Sequence, residues 1–123
     1  MTTTLSRRRS RTGTKARGSN VRQLRERFGC SQRVFARLMG VSERSLISFE
    51  KRDACSETVQ RQVNSLSRLR QALARVIRPE AIGDWFQRPN DAFGGLKPLE
   101  VVERGEIDRI WAMIYELESG TAG

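Results

Sequence analysis

The sequence predicts an all-α fold, and three observations carry that expectation. Apolar residues recur at three- and four-residue spacing from residue 21 onward, and no stretch alternates as a half-buried strand would. Ser31, Ser42 and Ser56 each stand directly before such a stretch, where a helix start needs an acceptor for its unpaired N–H groups. Gly29, Gly40 and Pro79 stand where the stretches stop. The expected architecture is an N-terminal bundle of short helices, a long connecting helix and a small C-terminal helical module.

Each element follows in order. Residues 1–20 hold six basic and no acidic residues with a single leucine, too little apolar area to order the segment. They read as a disordered basic arm suited to phosphates or a minor groove. No apolar stretch follows Arg7-Arg8-Arg9, so an export signal is not expected. A first helix runs from about Val21 to Phe28, with Val21, Leu24 and Phe28 on one face. Ser31 caps a second helix to Met39, and Ser42 a third through about Lys51. Ser56 begins a long helix to about Ile77, its stripe formed by Val59, Val63, Leu66, Leu69, Leu73 and Val76. Pro79 ends that helix and opens a short one holding Ile82, Trp85 and Phe86. A turn-rich stretch follows from Pro89 through Gly94-Gly95, and Pro98 opens a helix with Leu99 and Val102. The last helix spans Glu106 to Glu118, with Ile107, Ile110, Trp111, Ile114 and Leu117 as its stripe. Trp85 and Trp111 are expected to fill the module's own core.

The charge distribution assigns tasks to these parts. The 123 residues carry a net charge of +9. The arm contributes +6 and residues 21–78 contribute +8, whereas residues 79–123 carry −5. The expected division is therefore 1–20, 21–78 and 79–123. The first two parts call for a polyanion, and nucleic acid is the commonest one. Cys30 and Cys55 fit neither a redox pair nor a zinc site, and histidine is absent. Unpatterned thiols without a secretory signal suit the reducing cytoplasm. No apolar run approaches the ~20 residues that cross a bilayer. The sequence offers no nucleophile with its base and no acid/base pair, so no catalytic residue, metal or cofactor is expected and the chain is read as a non-enzyme.

The stretch from Ser31 to Lys51, SQRVFARLMGVSERSLISFEK, meets the steric demands of a helix-turn-helix. Ala36 is small where two helices cross. Gly40 tolerates the positive φ of a tight turn. Phe35, Met39, Val41, Leu46 and Phe49 stand where side chains must point inward. With Ser31-Gln32, Phe35-Ala36, Gly40-Val41-Ser42 and Glu50, the stretch resembles the Xre-type helix-turn-helix of phage-repressor-like regulators. That resemblance implies that the second helix of the pair lies in the major groove. Glu43, Arg44 and Ser48 would then face bases, with Ser45 near them, and Gln32, Lys51 and Arg52 would contact phosphate. Arg44 suits a bidentate contact to guanine.

The second half shows Asp84-Trp85-Phe86, Pro89-Asn90, Phe93-Gly94-Gly95, Lys97-Pro98-Leu99-Glu100, Gly105 and Asp108-Arg109. This pattern resembles the C-terminal toxin-binding domain of the Xre/MbcA/ParS antitoxins. The resemblance implies that the chain binds and inhibits a cognate RES-domain toxin, an enzyme that destroys NAD, and represses its own operon. It places the extreme C-terminus, Glu116, Glu118, Ser119, Gly120, Thr121, Ala122 and Gly123, at the toxin. The acidic residues Glu100, Glu103, Glu106, Asp108, Glu116 and Glu118 would steer a basic partner surface. The alternative is a plain dimeric repressor whose C-terminal module only dimerises or senses a ligand. A single helix-turn-helix reads few bases, so a homodimer on two-fold operator DNA is expected in either case.

Overall fold

The computed structural model describes residues 20–52 and 56–120. The basic arm up to residue 19, Cys55 and residues 121–123 lie outside the described residues. The chain forms α1 (residues 20–28), α2 (Gln32–Met39), α3 (Glu43–Lys51), α4 (Glu57–Leu73), α5 (Ile82–Phe86), α6 (Pro98–Glu103) and α7 (Ile107–Ser119). Single 3₁₀ turns occupy Pro79–Ala81 and Asp91–Phe93. No strand occurs among the described residues, and the fold is all-α as expected.

Serine capping sets three of the helix starts. The side chains of Ser31, Ser42 and Ser56 accept hydrogen bonds from the N–H groups of Val34, Ser45 and Val59. Gly40 closes α2 at φ 74°, and its N–H donates to the carbonyls of Ala36 and Arg37. The long helix α4 serves its neighbours with polar side chains. Arg70 donates to the carbonyl of Arg27 at 3.1 Å, and Gln62 to that of Leu38 at 3.4 Å. Both acceptors lie near helix carboxyl ends, where carbonyls lack intrahelical partners.

The helix α4 stops at Leu73, short of the expected Ile77, and residues 74–76 form turns. The cause lies downstream. Pro79 disfavours helical backbone at the residue before it, and Arg78 is extended at φ −58°, ψ 131°. The chain unwinds over the preceding turn, with Ile77 N–H still bonded to the Leu73 carbonyl at 2.7 Å. Pro79 then opens the 3₁₀ turn rather than α5 itself.

One continuous core runs from Val21 to Ile114, across the charge reversal at residue 79. Phe28 of α1 packs against Phe35 of α2 at 5.6 Å between ring centroids and against Phe86 of α5 at 5.7 Å. Helix α2 is the hub, touching α3, α4 and α6. On its exposed edge, Arg37 holds Glu103 of α6 through two hydrogen bonds of 2.7 and 2.8 Å. Gly83 lets α5 approach the end of α1. A Cβ there would stand 2.6 Å from the Phe28 carbonyl oxygen and 2.8 Å from that of Gly29, inside contact distance of rigid backbone.

Candidate functional site

The α2–α3 unit presents the first candidate surface. Phe35, Ala36, Met39 and Leu46 are buried between the helices, and Val41 and Phe49 pack against them. This burial leaves the opposite side of α3 open. Glu43 and Arg44 are exposed at its amino end, while Ser45 and Ser48 are half-buried along it. Ser45 lies within a capping network, since Ser42 Oγ donates to Ser45 Oγ at 3.0 Å. Lys51 and Arg52 are exposed at the carboxyl end of α3.

Gln32 and Lys51 meet across a groove of about 320 Å³ with Arg22, Arg25 and Glu50. Arg44 lies seven residues before Lys51, roughly 10 Å along the helix axis. Arg44 and Lys51 thus stand at opposite ends of α3, with Ser48 between them and Gln32 on α2. Arg22 and Arg25 were not singled out by sequence. They lie on α1, whose register against α3 appears only in three dimensions.

Glu50 anchors the groove. Its carboxylate accepts from Arg25 Nε at 2.6 Å, Arg25 Nη2 at 3.1 Å and Gln32 Nε2 at 3.0 Å. Arg25 also donates to the Cys30 carbonyl at 3.4 Å. Burial alone would raise the Glu50 carboxyl. Hydrogen bonds from Arg25 and Gln32, with the positive charges of Arg25 and Arg22, outweigh that effect and hold its pKa below the ordinary 4.5. Gln32 therefore arrives at the groove already held by the protein. Burial pushes the nearby Cys30 thiol up to about 11, so it stands protonated and unreactive at neutral pH.

The C-terminal surface departs from expectation in two respects. Within the expected α7 stripe only Ile110 and Ile114 are buried, while Ile107 is partly covered. Trp111 is 37% exposed, Leu117 45% and neighbouring Tyr115 75%. Trp111 does not fill the core because α7 offers only a narrow strip to its neighbours and Trp111 falls beside it, while Leu117 stands in line with Ile110 but in the last turn of the helix. Trp85 is partly buried, packing edge-on to Phe86 at 5.1 Å and Phe93 at 6.2 Å. Trp111, Tyr115 and Arg75 border a groove of about 520 Å³.

The acidic residues, secondly, are largely engaged within the molecule. Glu103 pairs with Arg37 and Glu106 with Arg109, while Glu100 accepts from the Lys97 N–H at 2.8 Å. Glu118 is paired with Arg75, which holds its carboxyl below the ordinary range. Ser119 donates to the Glu116 carbonyl at 3.1 Å, and Gly120 closes the helix at φ 77°. Glu116, Glu118, Ser119 and Gly120 thus gather at the end of α7. Thr121, Ala122 and Gly123 lie outside the described residues.

Comparison with known proteins shows what this second surface is similar to. Residues 71–119, from the end of α4 through α7, match the model of the antitoxin Xre/MbcA/ParS C-terminal toxin-binding domain. The match begins before the expected boundary at 79 and takes in the last turn of α4. The fold is shared with a chain of the M. tuberculosis MbcT–MbcA toxin–antitoxin complex, whose crystal structure superposes with a TM-score of 0.65 at 24% identity. That alignment covers 84% of this chain and 94% of the other. No curated protein matches the sequence.

Proposed function

We propose that this protein is an antitoxin that restrains a cognate RES-domain toxin with its C-terminal part and represses its own operon through α2 and α3. The match of residues 71–119 to an antitoxin toxin-binding domain carries the reading. The partner inferred from the resemblance is an NAD-degrading enzyme. Glu116, Glu118 and the small residues from Ser119 to Gly123 form the segment suited to enter its cleft.

For the DNA-reading end, the support is chemical. Arg44 and Glu43 stand exposed at the amino end of α3, and Gln32, Lys51 and Arg52 lie near its base. Helix-turn-helix readers contact base edges with early residues of the second helix and phosphates around it. The arm of residues 1–20 adds six basic groups for phosphate. In this reading the protein works as a homodimer in the cytoplasm, since two-fold operators require paired modules.

The test is co-expression in a host that the toxin alone prevents from growing. Restored growth, with toxin co-purifying on the tagged full chain, is the expected result. Normal binding to operator DNA with neither rescue nor co-purification would leave the plain dimeric repressor as the better reading.

A further inference from the structure

The large apolar side chains exposed among the described residues are Trp111, Tyr115 and Leu117, all on α7. Two of them share one face. At 3.6 residues per turn, Asp108, Trp111, Tyr115 and Glu118 follow one another along one side of the helix. Ala112 lies on its margin and is itself exposed. Arg75, from the turn after α4, closes the groove beside this face and is paired with Glu118. Leu117 stands in line with Ile110 and does not line the groove.

The order of residues on this face is symmetric about position 113. An aromatic side chain stands two residues to either side, Trp111 and Tyr115. A charged residue stands five to either side, Asp108 and Glu118. An antiparallel copy of α7 centred there sets Trp111 over the second copy's Tyr115, and the reverse. It also sets each Asp108 beside the other copy's Arg75–Glu118 pair, where Arg75 can accept a second carboxylate. The side chain of Arg75 is 59% exposed, which leaves room for that contact. An antiparallel helix pair of this kind is an isologous contact, closing after two copies. Exposed Ala112 lets the two helix backbones approach. Apolar centre and charged margin reproduce the anatomy of a specific interface.

We propose that the Trp111–Tyr115 face of α7 is the surface on which a second copy of this chain docks, antiparallel, with Arg75 bridging to the second copy's Asp108. The inference deepens the dimeric part of the reading above by naming its surface. It does not depend on toxin or DNA. A specific contact needs on the order of 1,000 Å² in all, and of the roughly 150–250 Å² that an aromatic side chain can bury, Tyr115 still exposes 75% and Trp111 37%. Four aromatics therefore form the apolar centre, and the two charged clusters, with the neighbouring surface of α7, add the rest.

The experiment is sedimentation equilibrium of the full chain, without toxin or DNA, from about 1 to 100 µM. The wild type is expected to be a dimer. Tyr115→Glu should weaken dimerisation at least tenfold with unchanged helical circular dichroism, since the side chain is 75% exposed. Arg75→Glu should weaken it as well, and Arg75→Glu with Asp108→Arg should restore it by exchanging the charges. A monomeric wild type at the highest concentration overturns the proposal. So does a dimer that Tyr115→Glu leaves intact, including one in which that variant loses only toxin capture. Failure of toxin neutralisation with a normal dimer and normal response to these variants would instead count against the antitoxin reading alone.

Discussion

At the residue scale, Arg44 and Glu50 have different tasks in the proposed DNA-reading end. Arg44 is exposed, and the proposal gives it the base contact. Arg44→Ala should lower the preference for operator over random DNA by about 1–3 kcal/mol, measured by fluorescence anisotropy with both duplexes. Equal loss on both would place Arg44 on phosphate instead. Glu50 faces inward and holds Arg25 and Gln32. Because its pKa is lowered in the fold, its contribution to stability is complete above the ordinary value near 4.5 and fades as pH falls through the folded value. Glu50→Gln should cost about 1–3 kcal/mol at neutral pH. The gap to wild type should shrink on acidification, as read by urea denaturation across the acid limb. A gap unchanged by pH would show that the carboxylate charge is not what matters.

At the element scale, close approach of backbones governs what may vary. Gly83 sits within α5 against the carbonyls of Phe28 and Gly29. Gly83→Ala should destabilise by about 1–3 kcal/mol despite alanine's better helix propensity, because the added methyl meets backbone that must shift. Equilibrium unfolding measures this, and a stabilised variant would contradict the packing described. Little of that was legible in the sequence. A glycine in a short helical stretch carries no turn signal, and its reason lies 54 residues upstream. Caps and stops were legible because they act within four residues, as Ser31, Ser42, Ser56 and Gly40 do. The inward set from Phe35 to Phe49 was legible because helical spacing on each side of Gly40 places those side chains on one face of each helix. The end of α4 was misplaced because periodicity continues to Val76 while pre-proline backbone does not. Trp111 was misplaced because a five-residue stripe spans more of the helix surface than α4 and α6 cover. The acidic tail residues could be listed from sequence. Their pairing with Arg37, Arg75 and Arg109 required the fold in two cases and only local spacing in the third.

At the scale of the whole molecule, the two candidate surfaces lie on different helices and should be separable by truncation at the C-terminus. Removing the last seven residues takes Leu117 and all that follows, and of these the described residues 117–120 are all exposed. Operator affinity should stay within about twofold, while neutralisation of the toxin in co-expression should fall sharply. Unchanged neutralisation would remove the tail from the mechanism. The Arg75–Glu118 pair disappears in the same truncation, at little expected loss of stability, since both partners are exposed.

The continuous core sets a limit that truncation does not reach. With α2 packed on α3, α4 and α6, and Phe28 wedged against Phe86, the two candidate surfaces share one core among the described residues, so that opening it would disturb both. A cellular protease that waits for the chain to open therefore finds both ends at the same moment. If the chain restrains a toxin and represses its own gene as proposed above, both actions would lapse together, and the fold would tie the loss of each molecule to the signal for its replacement.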